Sequence, residues 1–230
     1  MKRFYKAVDV APTGDDFTVT LDSRAVKTPL GAVQRVPTRA LADALAAEWN
    51  GQGDMLDLAL FRLRDLADYA IDIVAPAPEE MATKLLAFLE TDTLCYRADP
   101  DELFFKRQLA VWEPVLTAFE ADHSIKLERI SGIMHRPQPD RTVATLRAAI
   151  SALDAFTLSE LMAKTSLSAS LAVGMASLRP DADPAGLWAA ANLEEDWQIE
   201  QWGSDYEAEL VRKRRTADFM NAHAFGQFLR

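Results

Sequence analysis

Residues 32–49, Ala32-Val33-Gln34-Arg35-Val36-Pro37-Thr38-Arg39-Ala40-Leu41-Ala42-Asp43-Ala44-Leu45-Ala46-Ala47-Glu48-Trp49, contain the change of period on which the fold class turns. Up to Val36 the pattern suits a strand. Beyond Pro37 the apolar positions recur as on a helix: Leu41, Leu45 and Trp49 share one face, and Thr38 is placed to cap its start. On the N-terminal side, residues 3–10, 17–21, 25–27 and 32–36 read as strands of a small antiparallel sheet. Pro12-Thr13-Gly14-Asp15, Asp22-Ser23 and Pro29-Leu30-Gly31 supply the turns between them.

On the C-terminal side almost everything is helical. Residues 58–74 form one helix, stopped by Pro76-Ala77-Pro78, and Pro78-Glu79-Glu80 opens another that carries Met81, Leu85 and Leu89. Asp99-Pro100-Asp101-Glu102 has the cap, proline and acids of a helix start, and Pro114 should kink or break that helix. Thr157-Leu158-Ser159-Glu160 and Ser204-Asp205-Tyr206-Glu207 fit the capping box. The longest apolar run, residues 167–178, reads as a buried helix, and a Trp-rich helix runs from Asp183-Pro184 to Gly203. Short strands are possible near residues 94–97 and 126–130. The expected fold is α+β: a small β-containing N-terminal domain, residues 1–76, followed by a larger all-α C-terminal domain, residues 77–230.

The chain has 230 residues, enough for one large domain or two small ones, and 49% of them are hydrophobic. Its 35 acidic and 25 basic residues leave a net charge of −10, which disfavours nucleic acid or an anionic membrane as the main partner. Cys95 has no second cysteine to pair with and reads as a small buried hydrophobe in a reducing compartment. No stretch is long and apolar enough to insert in a membrane, and residues 1–5 lead directly into strand-like sequence, which points to the cytoplasm.

Neither a GxxxxGK[ST] loop nor a GxGxxG turn is present, so no nucleotide or other cofactor is expected. His123, His135 and His223 are too scattered to suggest a metal site. Paired carboxylates are the catalytic groups on offer: Glu194 with Glu195, or Asp92. A carboxylate-based enzyme acting on a small molecule is therefore the alternative to a binding protein. The cations Arg212 to Arg215 read as a solvated helix face rather than a nucleic-acid platform, since no aromatic residues are interleaved with them.

The segment Leu193-Glu194-Glu195-Asp196-Trp197-Gln198-Ile199-Glu200-Gln201-Trp202-Gly203 bears most on binding. At about 100° per residue, Leu187, Ala190, Ala191, Trp197 and Trp202 fall on one arc, and Glu194, Gln198 and Gln201 fall within it. Asp196 and Glu200 point the other way. A carboxylate among tryptophans needs a partner, so the arc reads either as a satisfied core acid or as an apolar docking groove with an acidic centre.

Several short motifs, taken in order, resemble those of the ATP12 family, the assembly chaperones of the F1 sector of ATP synthase. They are Arg3-Phe4-Tyr5-Lys6, Leu21-Asp22-Ser23-Arg24 with Lys27-Thr28-Pro29, Glu48-Trp49 with Gln52, and Ala70-Ile71-Asp72. Thr91-Asp92-Thr93-Leu94-Cys95-Tyr96-Arg97, Gln108 with Trp112 and Pro114, Leu193-Glu194-Glu195 with Gln198, and Trp202-Gly203 complete the series. Ser23 stands where the family usually has glycine, and residues 58–63 are looser than the family's pattern. The resemblance implies a non-enzymatic chaperone that binds the unassembled F1 α subunit until it pairs with β, without using a nucleotide; a monomer is expected. It implies a bacterial cytoplasmic protein, or a mitochondrial matrix one after processing. It also maps a functionally sensitive acid onto Glu194 and a sensitive tryptophan onto Trp49. With these, Gln198, Gln201, Trp202 and Asp92 make up the expected partner-binding set.

Overall fold

A computed structural model describes residues 1–132 and 134–230. The chain divides into two compact units. Unit 1 comprises Met1–Pro78, Asp154–Glu160 and Asn221–Arg230, and unit 2 comprises Glu79–Leu153 and Leu161–Met220.

Unit 1 is built on strands β1 (Val8–Thr13), β2 (Asp16–Leu21) and β3 (Arg24–Ala25), antiparallel in the order β1-β2-β3. β1 runs on through Pro12 and Thr13, which the sequence suggested as turn residues, so the hairpin closes over Gly14 and Asp15 alone. The β2–β3 turn places Asp22 at φ 47° and Ser23 at φ 67°, the left-handed pair of a tight hairpin, with no glycine in it. Residues 32–36 form no strand of their own. They lie along the sheet through two isolated bridges, Lys27 to Val33 and Phe17 to Val36.

Helix α1 (Arg39–Asn50) follows as the period indicates. Thr38 Oγ1 accepts from the Leu41 amide at 3.1 Å, and Leu41, Leu45 and Trp49 are all buried. The single helix expected over residues 58–74 is three pieces: a 3-10 turn at Leu58–Leu60, α2 (Arg62–Tyr69) and a π-helical turn at Ala70–Val74. Glu48 causes the restart, because its carboxylate accepts from the Leu63 and Arg64 amides at 2.7 and 2.9 Å and caps α2. The unit's core joins Tyr5, Val19, Leu21, Val26 and Val36 to the apolar faces of α1 and α2, and Phe225 closes it from the far end of the sequence.

Unit 2 is helical: α3 (Pro78–Glu90), α4 (Leu103–His123), α5 (Asp140–Ser151), α6 (Ala155–Ser168), α7 (Leu171–Ala176), α8 (Pro184–Ala191), α9 (Leu193–Trp202) and α10 (Tyr206–Gln227). The ends of α6 and α10 contribute to unit 1. A two-residue parallel pair, β4 (Tyr96–Arg97) with β5 (Ile130–Ser131), makes the unit not wholly α. Met81, Leu85 and Leu89 are buried as their spacing predicts.

Several helix boundaries differ from the sequence reading, and each has a local cause. α4 starts at Leu103, because Glu102 turns back to accept from the Asp99 amide at 3.1 Å, and it continues through Pro114 unbroken. Asp154 caps α6 with bonds to the Phe156 and Thr157 amides, and Asp205 accepts from Ala208 at the head of α10, so neither Thr157 nor Ser204 is the capping residue. The apolar run at residues 167–178 breaks at Ala169, φ 50°, and Ser170 caps the new helix α7.

Candidate functional site

Helices α8 and α9 read as one helix in the sequence, and the structure splits them at Asn192, φ −102° and ψ 15°. Asn192 holds the break by bonding Trp188 O with its side-chain amide at 2.8 Å. The angular phase set by Leu187 and Ala190 therefore does not carry into α9, and Glu194, Gln198, Gln201 and Trp202 do not join Trp197 on its packed side.

The inner face of α9 is held by Leu193, Trp197 and three arginines. Trp197 stacks on Phe104 with ring centroids 5.5 Å apart. Arg107 sits over Trp197 and grips Glu200 with bonds of 2.5 and 2.7 Å, which hold the Glu200 carboxyl below its ordinary range. Arg212 of α10 lies 2.6 Å from Asp196, and Glu195 stands 3.8 Å from both Arg212 and Arg215. Arg215 also donates to Leu167 O at 2.8 Å and lies over the Trp188 ring. Thus the cations at residues 212–215 are not all a solvated face. Arg212 and Arg215 clamp neighbouring helices, because a guanidinium can satisfy a carboxylate and stack on an indole together.

The other face of α9 is open. Glu194, Gln198, Gln201 and Trp202 lie on the solvent side, Trp202 exposed to 79%. Glu194 makes one weak contact, from Gln198 Nε2 at 3.4 Å. The expectation of a carboxylate satisfied among tryptophans is overturned: Glu194 has no arginine partner among the described residues, while Asp196 and the still-exposed Glu200 are paired with arginines. A groove of about 280 Å³ does run beside this face, between α9 and the start of α10. Gln198, Ile199 and Trp202 line it, but its carboxylates are Glu195, Asp205 and Glu209 rather than Glu194.

Sequence reasoning missed the exposed apolar residues in the first turns of α10. Tyr206 is 72% exposed, Leu210 44% and Val211 53%. Tyr206 and Leu210 are four residues apart and so share a side of α10, just beyond Gly203. Their spacing was visible, but periodicity alone does not reveal whether a stripe is covered.

Asp92 and Trp49 do not belong to this face. Asp92 is fully buried in unit 2, where Oδ1 accepts from the Leu94 amide and Ser170 hydroxyl and Oδ2 from the Ala172 amide, at 3.0, 2.7 and 2.9 Å. Burial pushes its pKa up to about 6 despite these donors. With both oxygens engaged inside the fold, Asp92 cannot meet a partner. Trp49 belongs to the core of unit 1, 4% exposed, with Tyr5 Oη donating to its carbonyl at 2.6 Å. Cys95 is buried and its thiol pKa raised by desolvation. Among the described residues no helix is long and apolar enough to cross a membrane, and no group of three His, Cys, Asp or Glu side chains could hold a metal.

Known proteins share this architecture. A family model described as ATP12 chaperone protein matches residues 2–120. The mitochondrial protein atp12 of Schizosaccharomyces pombe is 27% identical over 219 residues, covering 88% of this chain and 74% of that protein. The crystal structure of Atp12 from Paracoccus denitrificans superposes with a TM-score of 0.93 at 32% identity, covering 100% of this chain and 98% of that one. A protein of Agrobacterium tumefaciens described as a putative chaperone gives a TM-score of 0.94 at 33% identity, covering 100% and 86%. With the family model spanning more than half of the chain and the fold matched from end to end, this chain belongs to the ATP12 family of chaperones for ATP synthase assembly.

Proposed function

We propose that the chain binds the unassembled F1 α subunit through the open face of α9 and the first turns of α10. The observation that carries this reading is the exposed run Trp202, Tyr206, Leu210 and Val211, edged by Glu194, Gln198 and Gln201. Exposed apolar side chains grouped around one helix junction cost free energy in water and suit a protein contact. Aromatic and aliphatic side chains supply affinity, while Glu194, the two glutamines and the carboxylates of the adjoining groove set orientation.

An α subunit lacking its β neighbour exposes an apolar interface and aggregates. A stoichiometric binder lowers the concentration of that surface by mass action, and β displaces it with a better-matched one. Nothing in this cycle needs ATP, catalysis or a second copy of the chaperone. A monomer acting in the bacterial cytoplasm, or in the mitochondrial matrix for a processed eukaryotic member, suffices. The carboxylate-enzyme alternative loses one of its candidates, Asp92, whose oxygens are bound inside the fold.

The test is a pull-down of co-expressed α subunit by Trp202→Ala/Tyr206→Ala and by Glu194→Lys, with Glu200→Lys as control. The aromatic pair should reduce retained α subunit at least tenfold and Glu194→Lys severalfold, with Glu200→Lys close to the parent. If all the folded variants retain α equally, or the parent retains none, the assignment fails.

A further inference from the structure

Unit 1 contains a cavity of about 680 Å³, in the range of sites that take a small molecule or a few residues of peptide. Tyr5, Leu21, Val26, Trp49 and Leu56 form its buried wall, and Phe4 and Leu58 stand at its edge, 62% and 66% exposed. Three cations line it, Arg24, Lys27 and Arg64. The carboxylate in the lining, Asp22, is already engaged: it accepts from the Lys6 and Ala7 amides at 3.1 and 2.8 Å, bonds that also hold its pKa low. In a chain of net charge −10, this pocket is locally basic.

Its wall also contains an unused donor. Trp49 Nε1 is buried and makes no hydrogen bond among the described residues, although buried polar groups are satisfied in the great majority of cases. The Arg64 guanidinium lies 4.9 Å from the Trp49 ring centroid, so a positive charge sits close to that N–H. Arg64 is also paired with Asp68 at 3.3 Å, so Arg24 and Lys27 are the cations left to an acceptor that bonds Trp49 Nε1.

We propose that this cavity is a binding site for a short extended segment of another protein, presenting an apolar side chain beside a carboxylate. The apolar side chain fills the wall, and the acceptor reaches Trp49 Nε1 and the cations. β3 is the last strand of the sheet order and both its residues line the cavity. Val33 and Gln34 already pair with Lys27 and Val26 beyond it, so the edge left to an extended occupant is Arg24–Ala25. The site shares no residue with the α9–α10 face and rests on no part of the α-subunit reading.

The indole N–H resonances of the ¹⁵N-labelled full chain test this directly, and comparison with Trp49→Phe assigns the one from Trp49. The probe is a capped hexapeptide with the core Leu-Phe-Asp-Glu. It should move the Trp49 indole resonance downfield and saturably, leaving the other four tryptophans unmoved. The amide counterpart with the core Leu-Phe-Asn-Gln should bind roughly tenfold more weakly, and Arg24→Glu/Lys27→Glu should weaken the acidic peptide by about the same factor. Both substituted side chains are exposed, so the fold tolerates the change. A Trp49 resonance unmoved at about 1 mM peptide, the ceiling of a meaningful weak site, overturns the proposal. So does equal binding of the amide counterpart. A response to octanoate without one to the peptide overturns the peptide occupant and assigns the cavity to a small amphipathic carboxylate.

Discussion

Replacing Asp92 with asparagine separates the two opposed effects of a buried carboxylate. Its pKa is raised from 3.8 to about 6, desolvation outweighing the donors from Ala172, Ser170 and Leu94. The folded state therefore holds a proton that the unfolded chain has already released between those two values. Stability from this group is present at low pH and is lost as pH rises through about 6, in total about 3 kcal/mol. The asparagine would keep one acceptor oxygen for Leu94 and Ser170, but its amide would face the Ala172 N–H, a loss of about 1–3 kcal/mol. At pH 8 this loss is offset by removal of the buried charge, and the variant should lie within about 2 kcal/mol of the parent. At pH 5 the parent is mostly protonated at Asp92 and recovers part of its deficit, so the gap should widen by roughly 1–2 kcal/mol against the variant. Asp68 is displaced in the same direction, also to about 6, but it is present in both proteins and cancels. Urea denaturation of both proteins at pH 5 and pH 8 at one ionic strength measures the gap. A gap that stays constant, or widens toward pH 8, would mean that burial does not dominate the Asp92 carboxyl.

Two further substitutions probe the backbone. Ser23→Gly should stabilise unit 1 by about 0.5–1 kcal/mol, because Ser23 holds a left-handed φ of 67° that glycine adopts without steric cost; a lowered melting temperature would contradict this. Gly174→Ala should destabilise unit 2 by about 2 kcal/mol or more in urea denaturation, although alanine is the better helix former. The added methyl would overlap Thr165 Oγ1 and come within 3.1 Å of Leu161 Cδ1, both on α6, and a neutral result would mean that the α6–α7 contact yields.

Features governed by a few neighbouring residues were legible in the sequence. Thr38 caps α1, Asp183 caps α8 with Pro184 behind it, and Gly203 ends α9 at φ 84°, because each depends on backbone groups within one turn. The buried faces of α1 and α3 followed from spacing for the same reason. The order of a small sheet followed by helices was legible from the change of period at Pro37. The family was legible too, since many weak motifs in fixed order are specific together.

The tertiary fold settled everything that depends on what covers a face. A helical repeat says that Leu193 and Trp197 can share a side, but not that Arg107, Arg212 and Arg215 arrive from other helices to neutralise Glu200, Asp196 and Glu195. Those acids find arginines while Glu200 stays exposed, and Glu194, on the opposite side of α9, is left to water. The break at Asn192, the capture of Asp92 by Ser170 and Ala172, and the return of residues 221–230 to unit 1 are likewise outcomes of packing rather than of local pattern. Local pattern constrains angles within a turn of chain. Burial and charge pairing belong to neighbours that only folding brings together.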